Sequence, residues 1–160
     1  FSRAALNALD GSRSMAIWFR PIAYGTTAAP IGLASTDSTA VAGALSSNPN
    51  WLMNMDEVSI RLYHADGYKS IPAVSLNTWH LVVMEYDAIT DTWLFQLDGE
   101  ASQSGVALDT RTPISLFVGS GYNSSFGGQI SSPLFWSAPL GAERRALLWN
   151  GGAGRFFPFV

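Results

Sequence analysis

The sequence contains no cysteine, and that absence excludes several kinds of chemistry. Without thiols there is no disulfide framework, no thiolate zinc site and no cysteine nucleophile. Histidine is nearly as scarce, because only His64 and His80 occur in the 160 residues. Two distant histidines without thiols do not make a structural zinc site. No apolar run approaches the roughly 20 residues that a membrane-spanning helix needs. We therefore expect neither a zinc site nor a membrane span.

Charged residues are also few, at 13% of the chain, and the formal net charge is −3. Lysine and arginine form no basic run, which argues against nucleic acid and anionic membranes as partners. Hydrophobic residues make up 48%, which is enough for a sizeable core. The length suits one domain over residues 1–160. Because the chain begins at Phe1 without a signal-peptide pattern, we expect a part of a larger protein or assembly.

Short apolar segments separated by turn signals such as Asp66-Gly67 and Asp98-Gly99 are the main structural pattern. Residues Ser14–Pro21 (SMAIWFRP) are apolar on both faces and predict a central strand. Residues 58–64 (VSIRLYH) alternate and predict a strand with one solvated face. Short strands of this kind, spaced by turns, predict an all-β protein built as an antiparallel β-sandwich.

The segment 79–98 predicts a hairpin, with strands WHLVVMEYD and TWLFQLD joined at residues 88–91. In its second strand, Trp93, Phe95 and Leu97 are expected to face one side. The small and polar stretch 25–50 predicts one strand at Ile31–Ala34 and otherwise loop.

One short helix is predicted near the C-terminus, after Pro139. Leu140, Leu147 and Leu148 would form its apolar stripe, and Asn150-Gly151 would end it. A helix this short is not stable alone, so we expect it to lie on the sandwich.

Three motifs follow one another in an order that is typical of one superfamily. They are SMAIWFRP at 14–21, then TWHLVVMEYD at 78–87 with LDG at 97–99, then LFVG at 116–119 with FGGQI at 126–130 and LLWNGG at 147–152. In this order and spacing the chain resembles the laminin-G-like, concanavalin-A-like lectin/glucanase superfamily over residues 14–155. The resemblance implies a jelly roll of two antiparallel sheets, in agreement with the strand pattern.

The chain departs from that superfamily in two places. Ser131 and Ser132 stand where the family usually has an acidic pair. The strand that normally precedes the first motif is mostly absent, so an edge strand would be missing or supplied by another segment. The ending LLWNGGAGRFF also resembles the ends of such domains in bacteriophage structural proteins.

Catalytic residues are not predicted. Glucanases of this superfamily carry their carboxylates on one strand in the spacing E-x-D-x-x-E, and that pattern is absent. We interpret the acidic pairs Asp56-Glu57 and Asp98/Glu100 as solvated loop residues. Ser124 has no identifiable base beside it, and His80, at the start of an apolar strand, is expected to be structural. We therefore expect that the domain is not an enzyme.

Glycan binding is the remaining chemistry. Lectin sites combine an exposed aromatic ring with hydrogen-bonding side chains, and two segments that we interpret as loops have those residue types. The candidate glycan-binding residues are Tyr122, Asn123 and Ser124 in the first loop, and Asn50, Trp51 and Asn54 in the second. No cofactor is expected, with Ca²⁺ held by loop carboxylates as a minor alternative. The oxygen ligands for that alternative would be Asp37, Asp66, Asp87 and Asp91.

Two non-enzymatic functions follow. The sequence favours a structural or decoration domain on an extracellular or virion surface, whose partners are the protein subunits of an oligomeric assembly and which can also bind cell-surface carbohydrate. The alternative is a carbohydrate-binding adhesion module of an extracellular protein. A glycoside hydrolase is disfavoured.

Overall fold

The computed structural model describes residues 11–24, 31–34, 49–55, 57, 59–64, 67–106, 115–119 and 126–153. Within them, ten strands form two sheets, and neighbouring strands pair antiparallel. In the same ranges, no helix is both long and apolar enough to cross a membrane. The strands are β1 (Arg13–Pro21), β2 (Ile31–Ala34), β3 (Pro49–Met55), β4 (Ser59–His64), β5 (Gly67–Pro72), β6 (His80–Asp87), β7 (Thr92–Leu97), β8 (Gln103–Val106), β9 (Ser115–Val118) and β10 (Gly128–Trp136).

The two sheets have five strands each. Sheet I has the order β10-β1-β6-β7-β8, and sheet II has the order β5-β4-β3-β2-β9. The predicted antiparallel jelly roll is confirmed, and so are the strand at Ile31–Ala34 and the hairpin of β6 and β7. The predicted loss of an N-terminal edge strand concerns residues 1–10, which lie outside the described residues.

The main core lies between the sheets. In β1 the inward side chains are Met15, Ile17 and Phe19, which alternate as a strand requires. Sheet II contributes buried residues such as Ile31 and Ile60 from the other side. Trp93 and Phe95 are buried, as the alternation in β7 predicts.

A second, smaller core lies on the outer face of sheet I. The side chains of Ala16, Trp18, Leu81 and Val83 point there and are covered by helix α1 (Gly141–Trp149). Because both faces of β1 are covered, the run at residues 15–19 is apolar on both faces, which explains the pattern in Ser14–Pro21.

Helix α1 corrects one prediction. Leu148 is 3% exposed and packs on the sheet, but Leu147 is 52% exposed. Leu140 and Leu148 of the predicted stripe are buried in the smaller core, and Leu147 is not, because the helical face toward sheet I contains positions 145, 148 and 149. The helix ends at Asn150, in the left-handed conformation at φ 48°, as the Asn-Gly stop predicts.

The segment interpreted as a second candidate loop is a strand instead. Residues Pro49–Met55 form β3, which pairs with β2 on one side and β4 on the other. A strand paired on both edges hydrogen-bonds its own backbone within the sheet, so the two asparagines there do not indicate a loop.

Strand β10 contains the irregularity at the serines that replace the family's acidic pair. Its register with β1 shifts between Ala16 and Trp18, and Ser132 has φ 50° beside Pro133. A bulge and a proline are both tolerated here because β10 is at the end of sheet I.

Candidate binding groove

A cavity of about 400 Å³ lies on the outer face of sheet I, beyond helix α1. The strand register places the residues of its floor in one row, with Glu85 opposite Leu94 and Leu94 opposite Ser104. Pro139, in the turn before α1, forms the wall. Asp87 and Thr92, which pair with each other, extend the floor toward the β6–β7 turn.

A second cavity of about 270 Å³ follows along the same side of α1. Helix α1 contributes Arg145 and Trp149, and sheet I contributes Gln96 and Gly99. We call these two cavities together the helix groove. Its lining residues used below are Glu85, Asp87, Thr92, Leu94, Gln96, Gly99, Ser104, Pro139, Arg145 and Trp149.

Arg145 links the two cavities. Its Nη1 donates to Oε1 of Glu85 at 2.9 Å, and its Nε donates to Oε1 of Gln96 at 2.9 Å. Glu85 is 5% exposed, so its carboxylate needs a partner of opposite charge in this position. This ion pair connects helix α1 to strand β6, which is part of the floor of the groove.

Asp87 is the second carboxylate of the groove. It accepts hydrogen bonds from the backbone N–H of Ile89 at 2.9 Å and from the hydroxyl of Ser12 at 3.3 Å. The Ile89 N–H contributes most to holding the pKa of the Asp87 carboxyl below its usual range, and the hydroxyls of Thr90 and Ser12 act in the same direction. Asp87 is therefore ionised at neutral pH.

The groove combines polar and apolar groups. The carboxylate of Asp87 accepts hydrogen bonds, and the hydroxyls of Thr92 and Ser104 both donate and accept. Leu94 and Pro139 supply apolar surface between them. A ligand with hydroxyl groups and C–H faces matches this mixture.

Glu85 and Asp87 also revise the search for acidic pairs. They stand two apart on β6 and share its outer face, so they form an E-x-D pair that sequence reasoning missed. The signal was present, because the segment WHLVVMEYD was already predicted to be a strand. The position of a third acid in the E-x-D-x-x-E spacing is Thr90. Glu85 is held in an ion pair with Arg145 at 2.9 Å, whereas the general acid of glycoside hydrolysis must be free to contact the leaving-group oxygen.

His80 lies in a different cluster, at the start of β6. Its Nδ1 is 2.8 Å from Oδ2 of Asp98, and its Nε2 is 3.1 Å from the carbonyl of Ser75 and 3.3 Å from the Ser75 hydroxyl. Burial by itself lowers the pKa of His80, but the hydrogen bond and charge of Asp98, with the Ser75 carbonyl, raise it above its usual value overall.

The Ser75, His80 and Asp98 cluster has the composition of a catalytic triad but a different geometry. In a triad, the histidine Nε2 accepts the serine proton. Here the Ser75 carbonyl, at 3.1 Å, is nearer to Nε2 than the Ser75 hydroxyl, at 3.3 Å, and a carbonyl can only accept a hydrogen bond from a protonated Nε2. Asp98 instead connects the turn to β6, since its Oδ1 accepts from Leu81 N–H at 2.8 Å.

Trp79 is an exposed aromatic side chain, at 39%. It precedes β6, next to the end of β1, where Arg20 donates to the Asn77 carbonyl at 3.0 Å and to the Gln129 side chain at 3.1 Å. An exposed indole beside polar groups can also stack against a sugar ring. This surface lies at the opposite end of sheet I from Asp87.

Three of the six residues predicted to bind glycan lie within the described residues, and they are not in the helix groove. Asn50, Trp51 and Asn54 belong to β3 of sheet II, whereas the helix groove is on sheet I. Tyr122, Asn123 and Ser124 lie outside the described residues. The assignment of all six residues to glycan binding stays a prediction.

Two of the four carboxylates considered for Ca²⁺, Asp37 and Asp66, also lie outside the described residues. The other two are held by local hydrogen bonds, Asp87 as above and Asp91 from the Tyr86 hydroxyl at 3.2 Å. In the part of the chain that the structure describes, no three histidine, aspartate or glutamate side chains are grouped as metal ligands.

Comparison by sequence finds no matching family model and no matching curated protein. Comparison by structure finds clear neighbours. The CBM40 module of the IT-sialidase of Ruminococcus gnavus aligns with a TM-score of 0.69 and 10% identity, over 95% of this chain and 88% of that one. Another structure of that module is bound to α2,3-sialyllactose. The heptameric SAP-like pentraxin of Limulus polyphemus aligns at 0.63 with 12% identity, over 86% of this chain and 69% of that one.

The fold is a concanavalin-A-like jelly roll. The Trypanosoma rangeli sialidase shares it at a TM-score of 0.70 and 9% identity, over 91% of this chain and 24% of the sialidase. The chain therefore spans about a quarter of that enzyme's length. At these identities the likeness establishes the fold, and it does not bear on the predicted bacteriophage origin.

Proposed function

We propose that this domain is a carbohydrate-binding module and that the helix groove holds the glycan. The observation that carries the proposal is the cavity of about 400 Å³, in which Asp87, Thr92 and Ser104 surround the apolar Leu94 and Pro139. Its volume is within the range of small-molecule sites, about 300 to 1,000 Å³.

Sugar chemistry explains why this mixture of groups is suitable. A pyranose presents hydroxyls around its rim and C–H groups on its faces. The rim would donate to the Asp87 carboxylate and exchange hydrogen bonds with Ser104 and Thr92, while a face would lie against Leu94 and Pro139. The second cavity, beside Trp149, would accept a further sugar unit. A non-catalytic role and an extracellular location are part of this proposal.

The structural neighbours support the proposal through their fold. A CBM40 module of nearly the same extent has this fold and is known with a bound sialyl oligosaccharide. Sharing a fold does not transfer a site, so the groove residues have to be tested directly.

The test is a glycan-array screen of the whole chain, followed by titration calorimetry with the strongest ligand. Ser104→Trp fills the groove from an exposed position on the edge strand β8. Ser70→Trp is the matched control, because Ser70 is exposed on β5, the corresponding edge of sheet II. We expect Ser104→Trp to abolish binding and Ser70→Trp to leave it unchanged.

Two results would overturn the proposal. A blank array would remove glycan binding altogether. Binding that survives Ser104→Trp but is lost in Trp79→Ala would move the site to the exposed indole at the other end of sheet I.

The second candidate function is an assembled structural protein on an extracellular or virion surface. The observation that favours it is the pentraxin neighbour, which is heptameric. Light-scattering mass at several concentrations tests it independently of sugar. A defined oligomer with a blank array would favour this second function, whereas a monomer that binds one glycan class would contradict it.

A further inference from the structure

We infer that the helix groove selects uncharged glycans and discriminates against glycans that end in a carboxylate, such as sialosides. This inference rests on the proposed function, which it deepens by specifying the substrate class. It depends on how the charged residues of the groove are paired.

Capture of a sugar carboxylate generally uses an arginine fork that is available to the ligand. Among the described lining residues, the cation is Arg145. Its Nε and Nη1 are both directed at the protein, toward Gln96 and Glu85, each at 2.9 Å. Redirecting this fork to a ligand would leave the buried Glu85 without its partner, which is costly. Arg145 is therefore a structural cation.

The remaining charge of the groove is negative. The described hydrogen-bond partners of Asp87 are neutral donors, the Ile89 N–H and the Ser12 hydroxyl, so its charge is not compensated by them. The lowered pKa of Asp87 keeps it ionised over the neutral range. Among the described lining residues, with Glu85 balanced by Arg145, the charge that remains at the open end is that of Asp87.

The negative charge of Asp87 affects the binding of uncharged glycans and of carboxylate-bearing glycans differently. A sugar hydroxyl donates to a carboxylate and gains a charge-assisted hydrogen bond. A sugar carboxylate cannot donate and is repelled, because it would lie well within a Debye length of Asp87. The groove thus differs in chemistry from a site that binds sialyllactose, although the fold is shared with a CBM40 module that does.

The test compares matched pairs of glycans on one array, each neutral oligosaccharide beside its α2,3-sialylated form, with lactose and α2,3-sialyllactose as the reference pair. In each matched pair we expect the neutral glycan to bind and its sialylated form to bind about tenfold more weakly. The weaker binding follows from the repulsion between two like charges at short range. Preferential binding of sialylated members would overturn this inference and leave the carbohydrate-binding function standing. A blank array would overturn both.

The substitution Asp87→Asn tests whether the charge of Asp87 causes the discrimination against sialylated glycans. Asparagine retains an oxygen that can accept from Ile89 N–H, so the turn is preserved while the charge is removed. We expect the roughly tenfold discrimination against sialylated forms to be largely lost, because Asp87 supplies the charge that repels them. Glu57→Gln is the matched control, since Glu57 is exposed between β3 and β4 of the other sheet.

The discrimination should persist unchanged in Glu57→Gln. If Asp87→Asn also leaves it unchanged, the charge of Asp87 is not its cause and the inference fails. Melting temperatures of both variants verify that each is folded at the temperature of the assay.

Discussion

The two sides of helix α1 rest on the same sheet but are built differently. Toward β1 the helix is sealed, because the rings of Trp18 and Trp149 stack at 5.6 Å between centroids with an interplanar angle of 10°. Toward β7 and β8 the helix leaves the groove open, where the floor and wall carry small residues such as Ser104 and Gly99. Side-chain volume, rather than the backbone, therefore decides which side is core and which side is a cavity.

Arg145 and Trp149 belong to both sides. Trp149 seals one side by stacking and also lines the second cavity. Arg145 lies on the same helical face as Leu148, but it contacts polar groups of the floor. The contacts of Arg145 and Trp149 show that one helical face can stabilise the fold and shape a site simultaneously. The following substitutions test how far the two roles can be separated.

The sealed side should be the more sensitive to truncation. Leu148→Ala removes a side chain that is buried in the outer core, and we expect a loss of about 3 kcal/mol in the free energy of unfolding. Leu147→Ala, the next position along, should cost less than about 0.5 kcal/mol because Leu147 is exposed. Chemical denaturation measures both. Equal losses would show that α1 does not pack as described.

Arg145→Gln tests the open side. It leaves Glu85 buried without its charge partner, and we expect the free energy of unfolding to fall by about 2 kcal/mol, since the pair retains some solvent contact. Arg144→Gln is the matched control, at an exposed position beside it. Denaturant unfolding of both variants makes the comparison. If the two variants are equally stable, the ion pair contributes nothing measurable.

Gly99→Ala tests the place where the two sides meet. A Cβ at this position would collide with Nε1 and Cδ1 of the Trp149 indole. Because Trp149 is stacked on Trp18, it has little room to retreat, and we expect a destabilisation of about 1.5 kcal/mol. Tryptophan fluorescence should shift as the stack is disturbed. Unchanged fluorescence and stability would show that the indole moves freely.

The smallest effect concerns pH. The folded-state pKa of His80 lies above its usual value, so its contribution to stability is complete below about pH 6.5 and is lost as the pH rises through the folded value. We expect the free energy of unfolding to fall by less than about 1 kcal/mol over that window.

Asp98→Asn removes the carboxylate that raises the pKa of His80, so this fall should be reduced in the variant. Denaturation at several pH values between 6 and 8 measures both proteins. A wild-type stability that rises with pH over this window would contradict the assignment, and so would identical profiles for the two proteins.

Much of the fold could be predicted from local pattern. Apolar residues on both faces of Ser14–Pro21 predicted a central strand, and β1 is covered by sheet II on one side and α1 on the other. The turn at residues 88–91 predicted the hairpin of β6 and β7. These predictions succeed because alternation and turn chemistry act over a few residues.

The candidate site was predicted less well. Asparagine and tryptophan in residues 50–54 suggested a binding loop, but pairing of β3 on both edges makes the segment a strand. In turn, the E-x-D pair of Glu85 and Asp87 was not recognised, although both stand on a predicted strand. Composition indicates which residues can bind, but it does not indicate which of them share an open surface.

The sequence by itself determined the strands, the turns and the order of a concanavalin-A-like jelly roll, because these follow from local periodicity. Only the tertiary structure decided that α1 lies across sheet I, that Arg145 is paired with Glu85 60 residues away, and that the outer face beyond it stays open. Such contacts join residues far apart in the chain. No local pattern specifies that large side chains will pack on one side of α1 and small side chains on its other side.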